Sequence, residues 1–323
     1  MDARISVPSE LFADVASKLL ANDGDISCLR TNATLPHDAW IEVDKTIIQV
    51  AGQRLNGLAD LRAYGLTRTL GGLGVEYDFW QTASDDFVAS QNMSGITKAA
   101  DNTIDFGENQ IPIPITHVDF NIPVRKLLAS QRNGTPLDTT QVAIATRKVI
   151  EALEDTLFNG SAVVSGGNSL PGYFNFARSN EVGLTGSWGT TPANIEKDVV
   201  KLIAANEGDR FYGPYILYLH TDEWVALRQR DSTAGGISYL DILKSMPGIA
   251  DVKPSDALAN GYLCLVQMTS DVVSLATAVD ITAVEWDSHG GAQKNFKVMA
   301  AIAPRMMADY AGRCGIAFDN NMA

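Results

Sequence analysis

The stretch Asp138–Gly160, DTTQVAIATRKVIEALEDTLFNG, reads as one long amphipathic helix with a defined start and stop. Asp138 is placed to cap the first turn, and Gln141 stands three residues on, where a capping-box partner reaches back. Val142, Ala145, Val149, Leu153 and Leu157 recur at helical spacing, and Gly160 supplies the left-handed stop. Upstream, a long polar excursion is bracketed by strand-like runs and ends in the Pro-punctuated IPIPITHVDFNIPV, residues 111–124. Downstream, SGGNSLPGYFNF, residues 165–176, is a Gly-rich turn followed by aromatics.

The chain has 323 residues and is 46% hydrophobic, which is enough for a large core or two packed lobes. The formal net charge of −13 argues against nucleic-acid binding, because neutralising phosphates needs a basic face. No run of Lys and Arg exceeds two residues. An acidic container can still enclose DNA, since it gains nothing from gripping its contents. Cys28, Cys264 and Cys314 are odd in number and widely spaced, and read as free thiols of a reducing cytoplasm. MDARISVPSE has no basic-then-apolar signal pattern, and no apolar run reaches the roughly 18 to 20 residues of a membrane span. The expectation is a soluble protein made inside the cell.

Residues 8–22 read as a short amphipathic helix with Leu11, Val15 and Leu19 on one stripe. It is joined through irregular chain with β-like pieces such as WIEVDKTIIQV, residues 40–50, so it reads as an arm that packs outside its own core. Residues 61–81 alternate in β fashion between glycines. Residues 104–122 alternate again, with Ile111, Ile113 and Ile115 on one face. Pro112 and Pro114 make this second run an edge strand, because proline donates nothing to a ladder. The segment between them is polar, and a loop of that length points to function or to contact with another chain.

After the long helix, Thr191 and Pro192 open a second helix. PYILYLHTDEWVALRQRD, residues 214–231, follows as a buried strand, a turn and a helix. A helix near 238–246 and a strand at 262–268 complete a block from about 191 to 268. The last segment, from 272 on, is almost pure strand and is expected to pair with the early strands. The middle block is then an insertion into a lobe built from both chain ends.

No motif carries catalytic chemistry. His220, Asp222 and Glu223 sit in a strand-to-helix turn, where Thr221 as cap and two first-turn carboxylates answer the orphan amides. His37, His117 and His289 stand alone. Asp85–Asp86 and Glu154–Asp155 are adjacent carboxylates whose side chains diverge, so neither forms an acid–base dyad. Neither Gly-rich turn has phosphate-loop grammar, and nothing points to a metal or a cofactor. One local rule is broken. Glu151, Glu154 and Asp155 crowd the C-terminal half of the long helix, where the macrodipole disfavours anions. Either cations come from elsewhere, with Arg125, Lys126 and Arg305 as candidates, or the acids lie on a solvated face.

The order of strand pair, basic linker, long helix ending in Glu-Asp-x-x-Phe-Asn-Gly and Gly-rich turn resembles the major capsid protein of tailed bacteriophages, a fold shared with encapsulins. The resemblance covers about residues 60 to 318. It implies an α+β fold with an N-terminal arm (1–60) and strands with an extended β-loop (61–122, projecting over about 68–115). A peripheral domain follows (123–190), with its spine helix at 138–159, then an inserted axial domain (191–268) and a return to the peripheral sheet (269–323). The implied function is not enzymatic: a subunit that self-assembles, as hexamers and pentamers, into an icosahedral shell enclosing double-stranded DNA. The alternative is an encapsulin-like compartment holding an enzyme cargo. Implied partners are further copies of the chain and scaffolding, portal and decoration proteins, with no membrane. The place is the virion capsid, assembled in the host bacterial cytoplasm. With about 60 residues ahead of the loop, a separate scaffold or none is expected. Some members crosslink a loop lysine to an asparagine; Lys98 is the loop lysine here, without a recognisable partner motif. Phe79, Trp80, Phe87, Lys98, Leu11, Val15, Leu19, Glu151, Glu154 and Asp155 are the candidate subunit-contact residues.

Overall fold

The computed structural model describes residues 45–47, 56–84, 103–132, 140–186, 188–230, 236–289 and 292–321, with single positions at 87, 89, 91 and 93. The arm helix with Leu11, Val15 and Leu19, the cap Asp138, Lys98 and Cys28 lie outside them.

Helix α1 (Asn56–Ala63) leads into strand β1 (Thr67–Thr69), and β2 (Tyr77–Ala83) pairs with β3 (Phe106–Pro112). Strand β4 (Ile115–Pro123) runs into helix α2 (Val124–Arg132). Helix α3 (Thr140–Asn159) has 20 residues and is the longest among the described residues, about 30 Å at ~1.5 Å per residue. Val142, Ala145, Val149, Leu153 and Leu157 are all buried, as their spacing predicts. Its stop is built by the Gly-rich turn. Gly160 sits at φ +76°, and the amides of Tyr173 and Phe174 donate to the carbonyls of Leu157 and Phe158.

A short hairpin, β5 (Ser161–Ser165) with β6 (Asn168–Leu170), follows, then β7 (Asn180–Glu181) and helix α4 (Ile195–Gly208). Strand β8 (Tyr215–Leu219) feeds helix α5 (Thr221–Ala226). Helix α6 (Tyr239–Ser245), β9 (Ile249–Pro254) and β10 (Leu263–Gln267) complete the block. The chain closes with β11 (Val273–Ser288), β12 (Gln293–Met306) and β13 (Ile316–Asp319).

Two sheets carry the body. The first has the order β1-β11-β12-β4, so the closing strands pair with early ones, and α3 packs against β12 and β4. The second has the order β7-β13-β10-β8-β9. Strand β8, YILYL, is buried along its whole length because both faces are covered. Ile216 and Tyr218 join the core under α3, whereas Tyr215, Leu217 and Leu219 join a second core with Val199 and Leu202 of α4. The second sheet is therefore the wall between the two cores.

Several local readings are corrected. Residues 61–81 are not one alternating run: Leu61–Ala63 complete α1, and strand returns at 67–69 and 77–83. Lys45–Ile47, inside the β-like piece, are helical. The run 104–122 splits at Ile113–Pro114 into β3 and β4, so Ile111 and Ile113 are buried while Ile115 is exposed. Thr191 makes no side-chain cap, and a 3-10 turn (Pro192–Asn194) precedes α4. At α5 the cap is His220, whose ring accepts the Asp222 amide, and Thr221 bonds Asp256 instead. Strand β13, expected in the first sheet with the other closing strands, pairs with β10 in the second. Its four residues are all buried, which suits a central strand between β7 and β10 and not an edge.

Candidate functional site

The hairpin β2–β3 pairs with itself in continuous register from Tyr77↔Pro112 to Ala83↔Phe106. Among the described residues it shares no ladder with either large sheet. Cross-strand partners lie on one face, so its two faces differ in character. Asp78, Ile111, Trp80, Asn109, Thr82 and Gly107 form the inner face and are buried or half-buried. Phe79, Gln110, Gln81, Glu108, Ala83 and Phe106 form the outer face, and all are exposed. Phe79, whose ring is tilted against Tyr77 at 6.2 Å, and Phe106 keep 62% and 61% of their surface in contact with solvent, so both leave apolar surface uncovered among the described residues. Phe87, Met93 and Ile104, in the stretch between the two strands, are exposed as well.

The root of the hairpin is held by charge. Asp78, buried to 3% exposure, lies between two arginines: Arg68 Nη1 of β1 at 3.3 Å and Arg305 Nη1 of β12 at 3.2 Å. Arg305 also donates from Nε to Ser274 Oγ of β11 at 3.0 Å and stacks its guanidinium over the Trp80 ring at 5.3 Å. Ile111 and Ile113 sink into a small apolar cluster with Ala278, Val279, Ala301 and Ala303, against which Trp80 packs. Tyr77 reaches the β5–β6 hairpin through a 2.5 Å bond to Ser165 Oγ. Three strands and one turn thus fix the direction in which the hairpin leaves the body.

The acids of α3 are answered separately. Lys148, one turn back on the same helix, pairs with Glu151 at 2.7 Å, and Asn159 donates to Asp155 at 2.7 Å. Glu154 is buried and accepts the amides of Gly57 at 2.9 Å and Leu58 at 3.4 Å. These are orphan donors in the first turn of α1, a helix with no acidic residue of its own there. Of the two alternatives the sequence left open, neither describes Glu154: it is buried, not solvated, and a helix N-terminus donates to it. Burial first, and the Asp60 charge after the hydrogen bonds that oppose it, hold the Glu154 carboxyl up at about 7. Arg305 serves Asp78, and Arg125 and Lys126 are exposed.

Of the candidate residues, Phe79 and Phe87 are exposed, whereas Trp80 is half-buried under Arg305 and belongs to the root. Glu151, Glu154 and Asp155 share a helix but not a partner. Sequence reading missed Asp78, Arg68 and the pair Asp60–Lys253. A carboxylate on the inward phase of an otherwise apolar-facing strand was the available sign for Asp78. Among the described residues no group of His, Cys, Asp and Glu is arranged to hold a metal, and no helix is long and apolar enough to cross a membrane.

The profile of a family described as "Family of unknown function (DUF6260)" matches residues 30–319. No curated protein matches the sequence. Among solved structures the chain is similar to the virus-like particle from Pyrococcus furiosus, at 14% identity and TM-score 0.64, covering 85% of this chain and 97% of that one. It is similar to the capsid of Myoviridae phage XM1, at 12% identity and TM-score 0.62, covering 81% and 91%. It is also similar to the capsid of an empty GTA particle, at 13% identity and TM-score 0.57, covering 83% and 91%. At these identities the likeness is one of fold, and the fold is that of the tailed-phage major capsid protein.

Proposed function

We propose that this chain, which belongs to the family of unknown function DUF6260, is the subunit of a closed protein shell, the capsid of a tailed bacteriophage. The observation that carries the reading is the hairpin β2–β3. It is rigidly rooted, paired only with itself among the described strands, and carries exposed Phe79 and Phe106 on its outer face. The inner face packs on the subunit itself, but a subunit alone gains nothing from the exposed rings of the outer face. Covering the two rings on a neighbour contributes about 25 cal/mol per Å², and many such contacts around a closed shell add up even when each is weak. A heterologous contact repeated by rotation closes into rings, here the hexamers and pentamers of an icosahedral lattice.

On this reading residues 1–60 are the arm and 61–122 the strands and extended loop. Residues 123–190 and 269–323 form the peripheral part, and 191–268 the axial block, with Ile316–Asp319 pairing in the second sheet. The acidic balance of −13 suits a container for double-stranded DNA that does not bind its sequence. Scaffolding, portal and decoration proteins are the further partners, and the place is the virion, assembled in the bacterial cytoplasm. Electron microscopy of the purified protein tests it: hollow particles or capsomers support the shell, and a monomer at high concentration in near-physiological salt, with and without a co-expressed scaffold, refutes it.

The second reading is an encapsulin-like compartment holding an enzyme cargo, a shell of the same fold, and the likeness to a virus-like particle is open to it as well. Particles that carry one discrete co-purifying enzyme, in place of nuclease-protected DNA, select it.

A further inference from the structure

Helix α1 packs on α3 and on β11, where Arg62 pairs with Asp280, and two buried carboxylates tie it to α3 and to the second sheet. Its first-turn amides, Gly57 and Leu58, point at Glu154 of α3. One turn on, Asp60 accepts from Tyr218 Oη of β8 at 2.8 Å and forms a short ion pair with Lys253 Nζ of β9. Asn56 Nδ2 donates to the Pro254 carbonyl at 2.6 Å. The fit is close. A Cβ on Gly57 would stand 2.7 Å from Leu157 Cδ2 and 3.3 Å from Glu154 Oε1.

The charge in this pocket is unbalanced. Glu154 and Asp60 are 6% and 5% exposed, and among the described residues the cation paired here, Lys253, sits on Asp60. Asp60 from α1 and Ser255 and Tyr173 from the connecting segments face Glu154, while Tyr218 from β8 and Lys253 from β9 reach Asp60, and Cys264 from β10 lies by Tyr173 and Tyr218. Ser255 and the two amides stabilise the anion, while burial and Asp60 oppose it. A neutral Glu154 keeps an acceptor oxygen for the Gly57 amide and removes the repulsion from Asp60.

We propose that α1 is a proton-gated latch, seated firmly between the long helix and the second sheet when Glu154 is neutral and held more weakly when Glu154 is ionised. Because α1 is bonded to α3, β8 and β9, the latch sets how tightly this helix is tied to the junction of the two cores. The gate stands whether or not the chain closes into shells, and it is read on the subunit itself.

Burial and the Asp60 charge hold the carboxyl up at about 7 when α1 is seated, and releasing α1 relieves both, so the carboxyl should fall toward its ordinary 4.5. Seating therefore binds a proton between these values. It is strongest below pH 4.5, weakens as pH rises, and levels off above 7. Hydrogen exchange with mass spectrometry on the full-length protein, corrected for the intrinsic pH dependence of exchange, reads this directly. Protection of the peptide spanning 56–63 should fall at least tenfold between pH 5 and pH 7, one pH unit being worth up to about tenfold for one proton. Protection of a peptide from α4 should not follow it. In Glu154→Gln the dependence should vanish. A flat wild-type profile, an equal fall in α4, or an unchanged slope in Glu154→Gln overturns the latch. Should that variant fail to fold, the wild type alone decides, since a fall centred near 4.5 assigns the effect to another carboxylate.

Discussion

Arg305 Nη1 lies 3.2 Å from Asp78 Oδ2, so a strand near the end of the chain holds the root of a hairpin formed 227 residues earlier. The bond is one of four made around Asp78 and Arg305, and the others reach Arg68, Ser274 and the Trp80 ring. Removing one partner of a buried pair leaves the other charge without compensation, which costs more than the pair itself contributes. Asp78→Ala should destabilise the subunit by about 3 kcal/mol in urea unfolding. Arg305→Lys should be intermediate, because lysine keeps the charge and loses the fork and the stacking. A Asp78→Ala protein as stable as the parent would show that the hairpin root is held by its apolar contacts alone.

The stripe of α3 gives a direct test of packing. Leu153 is 3% exposed and lies in the core that joins α3 to α1 and the first sheet. Leu153→Ala should cost roughly 2 to 5 kcal/mol, read as a shift in urea midpoint with an unchanged slope. A cost within error would place the side chain at the surface.

What could be read from sequence was what is local and periodic. The stripe from Val142 to Leu157, the two-sided run Tyr215–Leu219 and the closing strands each carry their own period, and the structure keeps them. The short helix α1 was missed because its sequence, NGLADLRA, has a glycine in the first turn and no capping acid. Its cap is Glu154, supplied from 97 residues away. The same reason hid the answer to the acids of α3, for amides leave no mark in a sequence. Residue preference points to Thr221 as the cap of α5, whereas His220 occupies the extended position that a cap requires. Strand β13 is as apolar as its predecessors, so periodicity could not tell which sheet it joins.

The Glu154 carboxyl, held up at about 7 mainly by burial, also makes global stability depend on pH. The folded state binds the extra proton between pH 4.5 and 7, so this group's share of stability is present at low pH and declines as pH rises through that window. Its size is at most about 3 kcal/mol. Subtracting the pH profile of Glu154→Gln from that of the parent should leave a curve falling from pH 5 to 7 and flat above. A difference curve that rises with pH would reverse the assigned sign.

Cys264 and Cys314 are buried free thiols. Burial pushes the Cys264 thiol well above its usual range and that of Cys314 up to about 12. Both should resist a thiol-specific reagent at pH 8 until denaturant is added, because the thiolate is the reacting form. Rapid labelling of either in the native protein would show that its core opens.

The hairpin decides the function, and its outer face can be altered without touching its root. Phe79 and Phe106 are exposed, face away from Asp78 and Trp80, and contribute little to the subunit's own core. Replacing both with serine should leave the urea midpoint within about 0.5 kcal/mol of the parent, as for other surface substitutions. The same protein should lose closed particles in electron microscopy and sediment as smaller species, because the apolar surface that a neighbour would cover is gone. Deleting residues 82–103 should act more strongly in the same direction while keeping the folded body. Asp78→Ala separates the two roles of the element: its hairpin keeps the rings but loses its direction, so particles should be malformed and not merely absent. If the double serine variant assembles as well as the parent, the outer face is not a subunit contact, and the shell reading must rest on other surfaces.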